Sequence, residues 1–291
     1  YFAISWTAWK GFDLMFANVE DVIKDLKEGR LIIIVDDEGQ YIGLTKLIDQ
    51  AFGHSKIEKV SVYGMGYVGL PLALSFAGKG FSVTGFDVDS KKTDLLEAGQ
   101  SYISHIPDDT IKQQIASGCL IPCREFQKLA EMAVIIICVP TPLTEKREPD
   151  LSYVKSTARD IRPHLQAKQL VILESTTYPG CSTEVLKPLL EKSGLVSGED
   201  FYLAYSPERE DPGNHKYVTS NIPKVVGADS PKALELALAL YDQIVVQTVP
   251  VSSMEVAEAV KLTENVFRSV NIALINELKT IYGKMGVNIW E

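Results

Sequence analysis

Two patterns of apolar and polar positions follow one another along the chain, with the change near residue 55. In the first, Asn18 is a good N-cap with Asp21 at the capping-box position, and Val22, Ile23 and Leu26 share an apolar face that Gly29 ends, which predicts a short helix. The run 31–35 is apolar throughout and predicts a buried strand, followed by a turn at Asp36-Asp37-Glu38-Gly39 and a polar linker around Gly53-His54-Ser55. From Lys59 a strand–helix alternation begins. It predicts strands over 60–63, 81–86, 134–138 and 170–173, with shorter candidates at 201–205, 224–226 and 244–246. Helices are expected over 67–79 and 90–98, stopped by Gly80 and Gly99. Strands that are apolar throughout and separated by helices imply an α/β fold with a doubly wound parallel sheet covered on both faces. From Ser253 the pattern becomes one long helix to residue 282, expected to bury Val256, Val260, Phe267, Val270, Leu274 and Leu278. The expected organisation is an N-terminal α/β extension or fusion remnant over 1–55, a nucleotide-binding domain over 56–250, and over 251–291 the long helix that starts a substrate or dimerisation domain.

Gly64-Met65-Gly66-Tyr67-Val68-Gly69 is a G-x-G-x-x-G placed between a predicted strand and a predicted helix, the context that gives this motif its meaning. Gly64 permits the tight turn, Gly66 lets the backbone approach a pyrophosphate, and Gly69 lets helix and strand pack closely. The helix start then offers amides, those of Tyr67 and Val68 among them, to the phosphates. Asp87 ends the second strand, 23 residues after Gly64, where an acid accepts the ribose hydroxyls. A carboxylate there repels a 2′-phosphate, so NAD is favoured over NADP. Lys92 follows closely, as a contact to the adenosine ribose or as a charge that blurs the preference. The domain is therefore read as Rossmann-type.

Charge narrows the partners. With Lys+Arg 29 against Asp+Glu 38 the formal net charge is −9, which argues against a general nucleic-acid-binding field. No apolar run approaches the ~18 residues that span a bilayer. Cys119 and Cys123 form a C-x₃-C without a second pair, so no metal site is expected, and all four cysteines (with Cys138 and Cys181) read as reduced cytosolic thiols. A cytoplasmic protein is the expectation. The chain opens at Tyr1 and stops at Glu291 just after Trp290, which reads as a piece of a longer protein.

Two further features carry candidate chemistry. Lys261, Asn265 and Arg268 fall at i, i+4 and i+7 of the long helix and share one face. They suit an oxygen-rich or anionic ligand or a developing oxyanion. On spacing alone a solvated face with Glu258 and Glu264 as ion-pair partners is the favoured reading. Three Pro-rich corners follow predicted strands: Val139-Pro140-Thr141-Pro142, Glu174-Ser175-Thr176-Thr177-Tyr178-Pro179-Gly180, and Ser206-Pro207-Glu208-Arg209-Glu210-Asp211-Pro212-Gly213-Asn214. Carboxyl ends of parallel strands are where open α/β sheets bind ligands, so Thr141, Thr176, Glu208 and Arg209 are expected to converge near the nicotinamide end.

Together the stretches GMGYVGLPLA, CVPTP, EPDLSYV, ESTTYPG, SPEREDPGN and AEAVKLTENVFRSVNIALINEL resemble the nucleotide-sugar 6-dehydrogenase family, in the family's order over residues 59–291. The last two look more like the branch acting on UDP-N-acetylhexosamines, which feeds surface polysaccharides, than the UDP-glucose branch. The resemblance implies that NAD takes two hydrides in succession from C6 of a UDP-sugar: the aldehyde is held as a thiohemiacetal on a cysteine, oxidised by the second NAD to a thioester, and the thioester is hydrolysed to the carboxylate. It assigns Lys261 and Asn265 to the C6 oxygen and Glu208 to the hydrolytic water. Arg209, Glu210 and Arg268 fall to substrate contacts, Thr141 and Thr176 to cofactor contacts. The family's nucleophilic cysteine stands in a Gly-rich loop after the long helix, and none of the four cysteines here is in that context, so the chain alone is not expected to turn over. The long helix has an apolar face of the kind that packs against a twin, so the parent is expected to be a homodimer or higher homo-oligomer.

Residues 18–38 resemble the start of a dihydroxybutanone-phosphate synthase, but Gly39-Gln40-Tyr41-Ile42-Gly43 stands where that family continues with Arg-Glu-Asn-Glu-Gly-Asp, so synthase activity is not expected. Two other readings of the whole stay open at this point: a non-catalytic dinucleotide-binding module, and another NAD-dependent hydroxyacid-type dehydrogenase.

Overall fold

The computed structural model describes residues 2–5, 32–35, 59–208 and 222–291. The chain divides into two compact units, Tyr1–Lys56 and Ile57–Glu291. In the first, β1 (Phe2–Ser5) pairs antiparallel with β2 (Ile32–Val35), Phe2 opposite Val35. β2 matches the apolar run at 31–35, while the helix expected from Asn18 to Gly29, the turn at 36–39 and the linker at 53–55 lie outside the described residues.

The second unit is an α/β sandwich. In chain order it comprises β3 (Lys59–Tyr63), α1 (Gly69–Ala77), β4 (Ser82–Phe86), α2 (Ser90–Glu97), α3 (Asp108–Ala116), β5 (Leu120–Cys123), β6 (Val134–Ile137), α4 (Ser152–Ile161), β7 (Leu170–Leu173), α5 (Lys187–Glu191), β8 (Tyr202–Tyr205), β9 (Lys224–Ala228), α6 (Pro231–Tyr241), β10 (Thr248–Pro250) and α7 (Met254–Lys284). The strands form one sheet in the order β10-β9-β8-β7-β6-β3-β4-β5. β3 to β8 run parallel, and β9 runs against β8. Every residue of β6 and β7 is buried, as strands covered on both faces require. Alternate residues feed two cores. Val60, Val62, Val134 and Ile136 pack with Phe76 of α1 and Leu240 of α6 on one face. Ile135, Ile137 and Leu173 pack with Val154 and Ile161 of α4 on the other. Chain order reverses between β3 and β6, which opens a crevice at their carboxyl ends.

Three expectations are corrected. No strand forms at 244–246: the amides of Ile244 and Val245 bond back to the Tyr241 carbonyl and close the end of α6, and the strand comes later, at Thr248–Pro250. Strand β5 was not expected. It contains Pro122, whose missing N–H is tolerated because β5 is the last strand of the sheet. The long helix forms as expected, with Ser253 as its N-cap, but it buries only Met254, Ala257 and Glu258. Val256, Phe267, Val270 and Leu274 are exposed, Phe267 by 70%, and Val260 and Leu278 are only partly covered, because no other described element lies against the outer length of the helix. No helix among the described residues is long and apolar enough to cross a membrane.

Candidate functional site

The turn between β3 and α1 is built by contact distances that only glycine allows. Gly64 has φ +98°, and a Cβ on it would stand 2.5 Å from the carbonyl oxygen of Cys138, the residue that follows neighbouring β6. A Cβ on Gly69 would stand 1.9 Å from the Gly64 carbonyl oxygen. Gly66 is different: nothing lies within 4 Å of where its Cβ would be. Gly64 and Gly69 therefore serve the protein's own packing, and Gly66 faces open space. α1 has no side chain capping it at Val68 and no acid in its first turn, so its amide end is left to an anion.

This turn opens on a cavity of about 770 Å³ at the carboxyl edge of the sheet. Gly64, Gly66, Tyr67, Val68, Asp87 and Lys92 line one end, and Thr141, Thr176 and Glu208 the other. The sequence-predicted cofactor residues other than Gly69 thus share one cleft, and Gly69 sits beneath it. Asp87 is buried. Its Oδ2 accepts from the Met65 amide at 2.9 Å and the Lys92 ammonium at 2.8 Å, and its Oδ1 accepts from the Asp89 amide at 2.8 Å. Three of the roughly four acceptor positions of a carboxylate are so occupied, leaving one on Oδ1 for a ribose hydroxyl. Lys92 is thereby held on Asp87. Tyr102 donates its hydroxyl to the Met65 carbonyl and adds a wall that the sequence reading missed. These residues fit a dinucleotide: an acid for the ribose, an uncapped helix start with an open glycine for the pyrophosphate, and a cleft leading to the far corners.

At the far end the β6 and β7 corners are clamped together. Ser175 Oγ accepts from the Val139 amide at 3.0 Å and donates to the Val139 carbonyl at 2.7 Å, and Thr141 Oγ1 donates to the Thr176 carbonyl at 2.6 Å. Beside them lies a buried polar cluster absent from the sequence reading. Glu174 Oε1 sits 3.2 Å from Lys224 Nζ and accepts from Tyr241, and Glu174 Oε2 has no partner among the described residues. Lys224 is the first residue of β9, whose reversed direction brings its start to the carboxyl edge of the parallel strands. Burial pushes the Glu174 carboxyl up to about 7, with Lys224 opposing and Glu208 reinforcing the shift. Burial pulls the Lys224 ammonium down, but Glu174 and Glu208 outweigh it, and it titrates above the usual lysine range. Burial, then Glu174 and Glu208, push the Cys138 thiol well up, and burial pushes Cys181 up to about 12. Neither is a thiolate at neutral pH, which fits neither with a nucleophile.

On α7, Lys261 donates to the backbone carbonyl of Glu208, tying the helix to the cleft's far end. Asn265 is half-buried and Arg268 exposed further along α7, and none of the three lines the cleft. Arg209 and Glu210 lie outside the described residues. Glu258 does not belong to a solvated face as the plainer reading of the stripe held. It is fully buried and accepts from Thr177 Oγ1, the Gly180 amide, and the Ser182 amide and hydroxyl at 3.2, 2.6, 2.9 and 2.7 Å. Its position was legible: Met254, Ala257 and Glu258 fall at i, i+3 and i+4, the spacing of a core-facing stripe.

The profile of the UDP-glucose/GDP-mannose dehydrogenase family's NAD-binding domain matches residues 58–245, and that of the family's central domain matches 255–291. The UDP-N-acetyl-D-glucosamine 6-dehydrogenase of Pseudomonas aeruginosa is 42% identical over 232 residues, covering 79% of this chain and 54% of that protein. The UDP-N-acetyl-D-mannosamine dehydrogenase of Pyrococcus horikoshii is 37% identical over 235 residues, 80% of this chain and 56% of that one. Among solved structures, a UDP-D-ManNAc dehydrogenase from Pyrococcus horikoshii superposes with TM-score 0.73 at 38% identity, covering 80% of this chain and 56% of the other. A ternary complex of GDP-mannose dehydrogenase from Pseudomonas aeruginosa gives 0.74 at 30%, with 79% and 54% covered. The chain spans about half the length of the curated relatives it matches. With both profiles in register and the dinucleotide cleft in place, the chain belongs to the UDP-glucose/GDP-mannose dehydrogenase family and carries its NAD-binding domain.

Proposed function

We propose that this chain is the cofactor half of an NAD-dependent UDP-sugar 6-dehydrogenase. The parent enzyme converts the C6 alcohol of a UDP-N-acetylhexosamine, or of UDP-glucose, to the uronic acid for surface-polysaccharide synthesis. It does so in the cytoplasm, as a homodimer or higher homo-oligomer. The observation that carries the reading is the single cleft that starts at Gly66 and Asp87 and ends at Glu208, whose backbone carbonyl is bound by Lys261 of α7. The names of the relatives from Pseudomonas aeruginosa and Pyrococcus horikoshii support the hexosamine.

NAD, when bound, supplies the hydride acceptor. Gly66 admits the pyrophosphate to the amide end of α1, and the remaining acceptor position of Asp87 takes a ribose hydroxyl. Thr141 and Thr176 hold the nicotinamide end. The Lys261 ammonium and the Asn265 amide bind the C6 oxygen and stabilise its charge as the proton leaves, an effect strongest where water is excluded. Glu208 assists the hydrolytic water, and Arg209, Glu210 and Arg268 contact substrate. The division of domains follows from the same reading: 1–55 an appended segment, 56–250 the NAD-binding domain, and 251–291 the beginning of the region that completes the substrate site.

A calorimetric titration of the chain with NAD⁺ and NADP⁺ tests the cofactor step. Saturable NAD⁺ binding is expected, stronger than NADP⁺ and weakened about 10- to 100-fold in Asp87→Ala, the worth of one hydrogen bond to a charged group. No NAD⁺ binding by a folded chain overturns it.

A further inference from the structure

We propose that Glu258 is a positioning residue that sets Lys261 against the cofactor corner, an inference that rests on the reading of Lys261 as the group that meets the C6 oxygen. Glu258 lies three residues before Lys261 on α7 and is the last buried residue of that helix. Its two oxygens receive four donors, from Thr177, Gly180 and both groups of Ser182. Three of these donors meet Oε1 and one, the Gly180 amide, meets Oε2, so both oxygens are held. All four donors come from the corner that follows Thr176, whose carbonyl is bound by Thr141. One continuous chain of bonds therefore runs from the β6 corner through Thr176 and Thr177 to Glu258, and one helical turn further to Lys261. Gly180, at φ +98°, is the bend that turns its amide onto the carboxylate, and a Cβ there would meet Glu184 at 3.2 Å.

Among the contacts of the described residues, those that hold the start of α7 to the sheet lie at or before Glu258. The Ser253 carbonyl packs where a Cβ on Gly227 would be 2.2 Å away, Met254 and Ala257 are buried, and Thr183 Oγ1 donates to Glu255 at 2.7 Å. Beyond it the helix is largely exposed. Rotation or sliding of α7 by even a fraction of a turn would carry the Lys261 ammonium away from the Glu208 carbonyl, and the Glu258 bonds are the ones that oppose that movement at the turn where Lys261 starts. The donors are neutral amides and hydroxyls, so they fix the carboxylate by geometry. Burial raises the Glu258 carboxyl above the usual range, and the hydrogen bonds from Ser182, Gly180 and Thr177 pull it back.

The test follows the Lys261 Cε resonance in full-length chain carrying ¹³C-labelled lysine, assigned by Lys261→Arg and titrated over pH with and without NAD⁺. Glu258→Gln keeps the shape but places an NH₂ where a donor must be accepted. Its Lys261 resonance is expected to move away from the wild-type position. Thr183→Val, which removes the neighbouring tie to Glu255, should leave the Lys261 resonance in place, separating positioning from general loosening. If Glu258→Gln fails to fold, Glu258→Asp is read instead; it keeps the charge but is one methylene short, and a displaced Lys261 resonance supports the proposal. An unchanged Lys261 resonance in whichever folded variant is read overturns it, as does an equal displacement in Thr183→Val. Should wild-type chain bind no NAD⁺ while the cofactor-free resonance still moves in Glu258→Gln, the cofactor reading fails and the positioning role stands.

Discussion

Replacing Gly66 with alanine separates cofactor binding from folding. The position has no atom within 4 Å of an added Cβ and no left-handed φ, so the folded protein meets no clash. A glycine replaced by alanine in a compatible conformation gains about 0.4–1 kcal/mol through the unfolded chain, and no loss of stability is expected. The same open space is where a pyrophosphate must come within hydrogen-bonding distance of the amides that start α1. A methyl group there pushes the phosphate away from those donors. Each charge-assisted hydrogen bond is worth about 1.5–3 kcal/mol, so losing one weakens NAD⁺ binding about 10- to 100-fold and losing two about 100- to 10,000-fold. Calorimetric titration with NAD⁺ beside urea unfolding of the same samples reads both quantities. Affinity within about threefold of wild type would refute the placement of the phosphate at Gly66, and a stability loss above about 2 kcal/mol would refute the claim that the space is empty in the free protein.

Gly69→Ala should behave in the opposite way. Its Cβ would stand 1.9 Å from the Gly64 carbonyl oxygen, so α1 must lift from β3, and a loss of about 3 kcal/mol or more is expected by urea unfolding; an unaltered midpoint would show that helix and strand are not in contact there. The Glu174 carboxyl, raised from 4.5 to about 7, makes the fold prefer the protonated form. Its contribution is fully present below 4.5 and is lost as the pH rises through about 7, on the order of 3 kcal/mol. Unfolding free energies measured at roughly pH 4 and pH 8 should show that slope in wild type and a flatter one in Glu174→Gln, and the same slope in both would assign it to other groups.

What the sequence disclosed was the part of the fold written in local pattern. The runs at 134–138 and 170–173 are apolar throughout because both faces of β6 and β7 are covered, and the glycine spacing of 64–69 survives because backbone contacts at Gly64 and Gly69 admit nothing else. What stayed hidden depends on partners distant in the chain. β5 holds a proline and one exposed position, so it lacks a strand signature until its place at the sheet edge is known. Glu174, Lys224 and Tyr241 meet across 67 residues or fewer of intervening chain, and no spacing rule relates a residue after one strand to the first of another and the last of a helix. The outer apolar residues of α7 were misjudged for the converse reason: periodicity reports a face that avoids water, not the element that covers it.

The direction of β9 has a consequence for how such a protein varies. Because β9 runs against β8, the segment between Ser206 and Lys224 leaves and re-enters the sheet at the same edge, and Ser206 Oγ donates to the Val225 carbonyl at 2.8 Å across its base. A connection stapled at its foot can lengthen, shorten or be exchanged without disturbing the strands, since doubling a loop costs only about 0.6 kcal/mol. Arg209 and Glu210 lie in that connection. Residues can thus be added to that connection while the β8–β9 pairing on either side of it keeps its register.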